Sequence, residues 1–561
     1  MNPLIAQKYP AFPPVDLPNR QWPSRRLTSA PQWCSVDLRD GNQALIEPMN
    51  LDEKLELFQL LVRLGFKEIE VAFPSASEVE FAFVRKLIDD ALIPDDVTIQ
   101  VLTQAREHLI RRTFEAIDGA PRAIVHLYNS TSPAQRRVVF NMTEDQIVEV
   151  AVEATRLIKQ LASSLPRTKV AFEYSPESFT STELPFSLRI CEAVMGVWQP
   201  TVEDKIILNL PATVEVSTPN VYADQIEWML DRLPNREAII LSVHTHNDRG
   251  CAVAAAELGQ LAGADRVEGT ILGYGERTGN VDLVTLGLNL MSHGIDPGLD
   301  LTNIPQVIEV VQRCTDEVIH PRHPYVGELV YTAFSGSHQD AISKGLKSHR
   351  PDTAWDVPYL LIDPKDIGRE YEGIIRVNSQ SGKGGVAYVL RAEYGLDIPK
   401  AMQPEFSKIV QQIADKSGRE LKPDVIYDAF ASTYLTLQLP LALGNVTITS
   451  VGTSAERVHV NAVIEVNGRS AIASAEGVGP MDAFANALRT VGVPDFRVVS
   501  FHEHSLSLGI PHASSALVQG SNAQAAAYVC IESEGRIRWG AGVDPSITMA
   551  SLRGLISALN R

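Results

Sequence analysis

The chain has 561 residues, 45% hydrophobic and 21% charged, a composition that excludes a disordered, collagenous or coiled-coil protein and leaves room for about three domains. With 68 acidic against 50 basic residues the formal charge is −18, so the field repels polyanions and gives no footprint for nucleic acid or anionic membrane. Five scattered cysteines form no C-x-x-C pair, and no stretch approaches the roughly twenty apolar residues of a membrane span, so the expected location is the cytoplasm, with neither a disulfide framework nor a zinc ribbon.

Residues 1–30 read as a proline-rich extension without an apolar signal region. Short β-branched runs follow at 33–38, 68–72, 98–102, 123–128, 169–174, 206–210, 239–243 and 266–272. Helical patterns separate them, such as 52–64 with Leu57, Phe58 and Leu61 inward and 143–161 with Ile147, Ala151, Ala154 and Ile158 inward. Eight strands alternating with helices predict an α/β fold, a (β/α)₈ TIM barrel over 31–305, whose active site lies at the C-terminal ends of the strands. Polar residues collect there: Asp37, Arg39, Asp40 and Gln43 after the first run, His126 and Tyr128 in the fourth, Glu173, Ser175 and Glu177 at the fifth. Asn209 and Thr213 end the sixth, His244 to Asp248 the seventh, and GYGERTGN follows the eighth.

Residues 306–430 read as helical linker subdomains, opening with a helix over 305–320 and carrying FSGSHQDAI and REYEG. From about 440 the texture changes to strands at 446–452, 457–468 and 469–477 and a helix at 482–489; strands at 497–509, 525–535 and 536–543 and a helix at 547–560 repeat that order. Gly468-Arg469 answers Gly535-Arg536, and Pro480 answers Pro545, which marks a duplicated βββα unit. The expectation is an α+β regulatory domain over 440–561, with a ligand-sensing cleft between its halves. Glycine-rich turns at 477–479 and 540–542 are expected to present helix N-termini to a carboxylate.

The sharpest chemical signal is His244-Thr245-His246. Alternate strand residues share a face, so the two imidazoles can grip one divalent ion, with Asp40 supplying a carboxylate and Asn280 an amide oxygen. Such a mixed N/O site with open positions suits Mg²⁺, Mn²⁺ or Zn²⁺ as a Lewis acid toward a chelated 2-oxo acid. Arg39 either neutralises the developing alkoxide or forms a buried salt bridge to Glu70 or Glu276. No serine or cysteine sits in an elbow motif, so the nucleophile belongs to the second substrate. His338 and Tyr371 act as acid/base groups only where the linker folds over a barrel mouth, its own or a partner's; otherwise they are a surface histidine and a core tyrosine. SGKGG, 381–385, lacks the full phosphate-loop spacing.

Together SVDLRDGNQALIEPM, HTHNDRGCAVAAAELGQLAGADRVEGT and GYGERTGN resemble the metal-dependent Claisen-condensing TIM-barrel enzymes, among them the long, leucine-regulated bacterial 2-isopropylmalate synthases. The resemblance extends over essentially the whole chain. It implies metal ligands Asp40, His244, His246 and Asn280 for a divalent ion, Mg²⁺ first, with K⁺ as an activator. It further implies Arg39 as the catalytic arginine and Glu177, His126, Ser175 and Thr213 on the 2-oxo acid, with His338 and Tyr371 delivered by the partner in a homodimer. The implied substrates are acetyl-CoA and 3-methyl-2-oxobutanoate, with leucine as allosteric inhibitor. Tyr274 departs from the pattern, which has Asn there. Rival readings are a homocitrate or citramalate synthase on the same barrel, and a non-catalytic amino-acid sensor.

Overall fold

The computed structural model describes residues 5, 8, 9, 11–371, 383–417, 421–451, 457–506 and 524–561. Eight parallel strands, β1 (Gln32–Ser35), β2 (Glu68–Ala72), β3 (Thr98–Gln104), β4 (Arg122–Ser130), β5 (Lys169–Glu177), β6 (Ile206–Ala212), β7 (Ile239–Thr245) and β8 (Arg266–Gly269), close a barrel in sequence order. Closure pairs β1 with β8, from Gln32 opposite Arg266 to Ser35 opposite Gly269. The TIM barrel expected from the alternation is the fold observed. Its helices start where the side chains cap them: Asn50 opens Leu51–Leu64 and Thr143 opens Glu144–Ser163, each in a capping box.

Some expected boundaries move. The first run ends at Ser35 rather than residue 38, and the eighth at Gly269 rather than 272. Asp37 explains both, because its buried carboxylate accepts from Ile271 N–H at 3.0 and 3.2 Å and from Ser35 Oγ at 2.7 Å. A side chain thus joins the two strand ends where a ladder would otherwise continue. The helix read over 305–320 is Ile304–Thr315, stopped by Asp316 in the left-handed region at φ 55°.

The chain divides into two compact units: Met1–Tyr331 with Ile362–Glu370, and Thr332–Leu361 with Tyr371–Arg561. In the second, β9 (Leu441–Ser450), β10 (Arg457–Val466) and β11 (Arg469–Val478) form one antiparallel sheet, and β12 (Phe496–Ser505), β13 (Ala525–Ser533) and β14 (Arg536–Asp544) another. Helices Pro480–Thr490 and Ile547–Asn560 complete the two βββα halves, which share one apolar core. The helices from Lys383 to Phe430 bury Leu390, Phe406 and Phe430 in a core that also holds Tyr528 and Trp539 of the second sheet.

Of the glycines expected in turns, Gly479 stands at the N-cap of the helix Pro480–Thr490 with φ 84°, whereas the other three serve packing. Gly477 lies in β11, and Gly540 and Gly542 lie inside β14. A Cβ on them would stand 2.3 Å from Ala483 N, 2.2 Å from Ala558 N and 2.2 Å from Ala550 O, so each helix backbone rests directly on its sheet. Ser546 caps the second helix, accepting from Met549 N–H at 3.4 Å, whereas the first has no side-chain cap and its Asp482 accepts from Val478 N–H of β11 at 2.9 Å. SGKGG begins outside the described residues, as does the end of the 497–509 run. No helix among the described residues is long and apolar enough to cross a membrane.

Candidate active site

Beyond β1 the chain enters a π-helical turn, Asp37–Gly41, that carries Arg39 and Asp40 into the barrel mouth. Burial pushes the Asp37 carboxyl up to about 7, although Ser35 and Ile271 donate to it. Gly41 leaves room for the buried ring of Tyr274: a Cβ there would lie 2.7 Å from Tyr274 Cε2. The departure at Tyr274 is therefore accommodated by close packing under the turn.

His244 and His246 leave the end of β7 on the same face, their rings 5.1 Å apart and inclined by 20°. His246 and Asn280 pair as an isolated antiparallel bridge. Asn280 donates from Nδ2 to Tyr274 O at 3.3 Å, which turns Oδ1 toward His244 Nε2 at 2.8 Å. Asp40 Oδ2 lies 3.4 Å from His244 Nε2 and 3.7 Å from His246 Nε2. That oxygen is buried and has no hydrogen-bond partner, an arrangement that costs energy unless a cation answers it. Three buried lone-pair donors converging on one point, with an amide oxygen beside them, fit a divalent ion.

The negative charge gathered here shows in the titration of its neighbours. Burial would raise the Asp40 carboxyl, but Arg39, His244 and His246 outweigh it and hold it well below the usual carboxylate range. Burial would lower His244, but Asp40 and Glu268 outweigh it and raise it to about 10, whereas burial and the neighbouring His244 charge bring His246 down to about 4. A second buried group, His126, Glu173 and Glu268, also gathers ligand-type atoms. There Arg266 stands 2.7 Å from Glu268 and 3.4 Å from Glu173, while burial and the neighbouring Glu268 push the Glu173 carboxyl well up, so this group already holds a cation and one carboxyl drawn toward its neutral form.

Arg39 is anchored by Glu70 at Nε and by Asp40 at Nη1, the latter at 2.8 Å. The buried salt bridge to Glu70 and a place in the cavity wall are thus both true of it. His126 reaches Glu70 through Nδ1 and Ser175 Oγ through Nε2, both at 2.7 Å. Glu177 accepts from Ser130 Oγ, and Thr213 Oγ1 accepts from Ser178 N–H at 2.9 Å. Arg39, His126, Ser175, Glu177 and Thr213 line a cavity of about 320 Å³ together with Asp40, His244 and His246, and Phe73, Leu102 and Pro211 form its apolar wall. His338 and Tyr371 belong to the second unit. His338 is exposed on the helix Gly336–Ser348, its ring 4.0 Å from that of Tyr359, and Tyr371 is half-buried.

Residue-type reasoning passed over Gln100, Arg266 and Glu268, all buried inside the barrel. A signal was present: in EIEVA and RVEG the charged residues alternate, which puts Glu68 and Glu70, and Arg266 and Glu268, on one strand face each. In a closed barrel an alternating charged face on an otherwise apolar strand marks the interior.

Comparison with known proteins agrees with this architecture. The HMGL-like family matches residues 30–311, the alpha-isopropylmalate synthase post-catalytic domain-like family 328–391, and the LeuA allosteric (dimerisation) domain 420–561. The 2-isopropylmalate synthase of Clostridium acetobutylicum is 52% identical, covering 100% of this chain and 99% of the relative. That of Parafrankia sp. is 54% identical over 99% and 97%, and that of Kineococcus radiotolerans 53% identical over 100% and 98%. With the three domains in order and such relatives matched from end to end, the chain belongs to the 2-isopropylmalate synthase family.

Proposed function

We propose that this chain condenses the acetyl group of acetyl-CoA with 3-methyl-2-oxobutanoate and hydrolyses the thioester, releasing (2S)-2-isopropylmalate and CoA, the first committed step of leucine biosynthesis. One observation carries the reading: Asp40 Oδ2, buried and unpaired, faces two imidazole nitrogens in the cavity that Arg39 also lines. A divalent cation held by Asp40, His244, His246 and Asn280, Mg²⁺ by assignment with Mn²⁺ or Zn²⁺ compatible, would supply Lewis acidity toward a chelating 2-oxo acid.

The chain's own residues do the rest. The methyl carbon of the acetyl group gives up a proton and attacks the keto carbon, and the keto oxygen becomes an alkoxide. Arg39, fixed by Glu70 and Asp40, places positive charge where that alkoxide forms. His126, Ser175 and Thr213 orient the 2-oxo acid, with Glu177 as a proton-handling carboxylate at the same wall. His338 and Tyr371, from the second unit of a partner chain in a homodimer, are assigned to the remaining proton transfers. Water then cleaves the thioester and CoA leaves as the thiol. Phe73, Leu102 and Pro211 suit a branched alkyl group better than the second carboxylate of 2-oxoglutarate, whose burial there would cost its hydration.

CoA release with 3-methyl-2-oxobutanoate, pyruvate and 2-oxoglutarate, each with and without divalent ion, tests the reading. Fastest metal-dependent release is expected with the first. Preference for pyruvate or 2-oxoglutarate would make the chain a citramalate or homocitrate synthase, and no release at all a sensor.

Leucine is assigned as the inhibitor acting through residues 420–561, where the allosteric family matches. A cavity of about 480 Å³ lies between the halves, lined by Leu443 and Val463 of the first and Val543 and Ile556 of the second, with Glu465 and Arg553 among its polar groups. Those groups suit an apolar amino acid carrying both charges. Val463→Trp, which fills the cavity, is expected to relieve inhibition; unchanged leucine potency would move the site elsewhere.

A further inference from the structure

Glu268, on β8, is fully buried and does not line the cavity, yet two of the residues that do, His244 and Asn209, rest on it. Its Oε1 accepts from Arg266 Nη1 at 2.7 Å and Gln100 Nε2 at 3.1 Å, and its Oε2 accepts from Asn209 Nδ2 at 3.0 Å and lies 2.8 Å from His244 Nδ1. With two partners on each oxygen, the carboxylate is locked in place and can only accept.

That forces a choice on His244. Because Glu268 accepts, Nδ1 keeps its hydrogen in either charge state, so when the ring is neutral, as a ligand must be, its lone pair is on Nε2. Nε2 is the atom that faces Asp40 Oδ2 and Asn280 Oδ1. We infer that Glu268 is a positioning residue: it fixes the tautomer and ring plane of His244 so that Nε2 is presented to the cation, and through Asn209 on β6 it ties that ligand to Ser175 on β5. The second half rests on Asn209 Nδ2, which lies 3.0 Å from both Glu268 Oε2 and Ser175 Oγ. The inference rests on the reading of Asp40, His244 and His246 as a cation site.

Such a buried carboxylate behind a ligating histidine typically changes metal affinity by about 10- to 100-fold when removed. The test is a titration of the full-length, metal-stripped chain with Mn²⁺, followed by electron paramagnetic resonance, for the unmodified chain, Glu268→Gln, Glu268→Asp and His246→Ala. Glu268→Gln keeps the shape but offers a group that donates as readily as it accepts, so Mn²⁺ affinity should fall by about 10- to 100-fold. At saturating Mn²⁺ the KM for the 2-oxo acid should move far less than the Mn²⁺ affinity does, which a general loosening of the barrel would not produce. Should Glu268→Gln fail to fold, Glu268→Asp retracts the carboxylate by one methylene from Nδ1 and should still lose affinity several-fold. A folded Glu268 variant of either kind that binds Mn²⁺ like the unmodified chain overturns the inference. If His246→Ala also binds like the unmodified chain, the cation site itself is misassigned and the inference falls with it.

Discussion

Arg39 and Asp40, neighbours in sequence, divide one carboxylate between two tasks. Arg39 Nη1 binds Asp40 Oδ1 at 2.8 Å, which leaves Oδ2 turned toward the imidazoles of His244 and His246. The π-helical turn makes this possible, because it sets adjacent side chains side by side where a continuing strand would send them to opposite faces.

From that geometry, losing one ligand should end metal-dependent turnover without unfolding the barrel. His246→Ala is expected to keep the circular dichroism of the unmodified chain and to lose CoA release almost completely. Near-normal activity in the variant after chelation and refilling would remove His246 from the ligand set.

Arg39 is tied to two carboxylates and lines the cavity, so its charge is available in the transition state without rearrangement. Arg39→Lys cannot serve both anchors with the same planar fork. A fall of about 10² to 10³ in kcat is expected, with a much smaller change in KM. Steady-state kinetics with 3-methyl-2-oxobutanoate check this, and an effect confined to KM would mean ground-state binding only.

The contact between Gly41 and Tyr274 yields a paired prediction. Gly41→Ala puts a methyl 2.7 Å from the Tyr274 ring and 3.3 Å from Thr270 Cγ2, an overpacking that typically costs about 1–3 kcal/mol. Activity should fall at least tenfold as the turn bearing Arg39 and Asp40 shifts. Adding Tyr274→Ala should recover part of the loss, and strict additivity of the two changes in a double-mutant cycle would show that the residues are not coupled.

Asp37 predicts a pH dependence of stability. Burial raises its folded pKa to about 7, above the ordinary carboxyl value of about 4. The folded chain therefore binds the extra proton, and this group's contribution is fully present below about pH 4 and lost as pH rises through about 7. Asp37→Asn removes that slope. Thermal midpoints from pH 5 to 8 should fall more steeply for the unmodified chain than for the variant, and parallel profiles would refute the assignment.

His338 is exposed in its own unit, which leaves it available to a neighbouring chain. Mixing inactive His338→Ala with inactive His246→Ala subunits should restore activity, since hybrid dimers hold one barrel with all its ligands and one intact His338 to serve it. Failure to complement, with subunit exchange shown separately, would place His338 in its own barrel or outside the chemistry.

Read alone, the amino-acid sequence determined the barrel and the location of its working end. Eight β-branched runs in alternation with amphipathic helices have few ways to bury themselves, and His244 and His246 declare a shared face through the two-residue period of a strand. It also showed the duplicated C-terminal unit, since strand and helix patterns recur in the same order. What it left open was which faces meet. Period alone says that Glu268 and Arg266 lie on one face, but only the closed barrel brings that face to His244, Asn209 and Gln100 on other strands. The same limit explains the glycines of β14: a stretch that reads as a turn when only its own residues are weighed is a place where the following helix folds back and its backbone comes within contact. Local propensity acts along the chain, whereas close approach and the pairing of buried charges depend on residues in other elements, and those were decided by the tertiary structure.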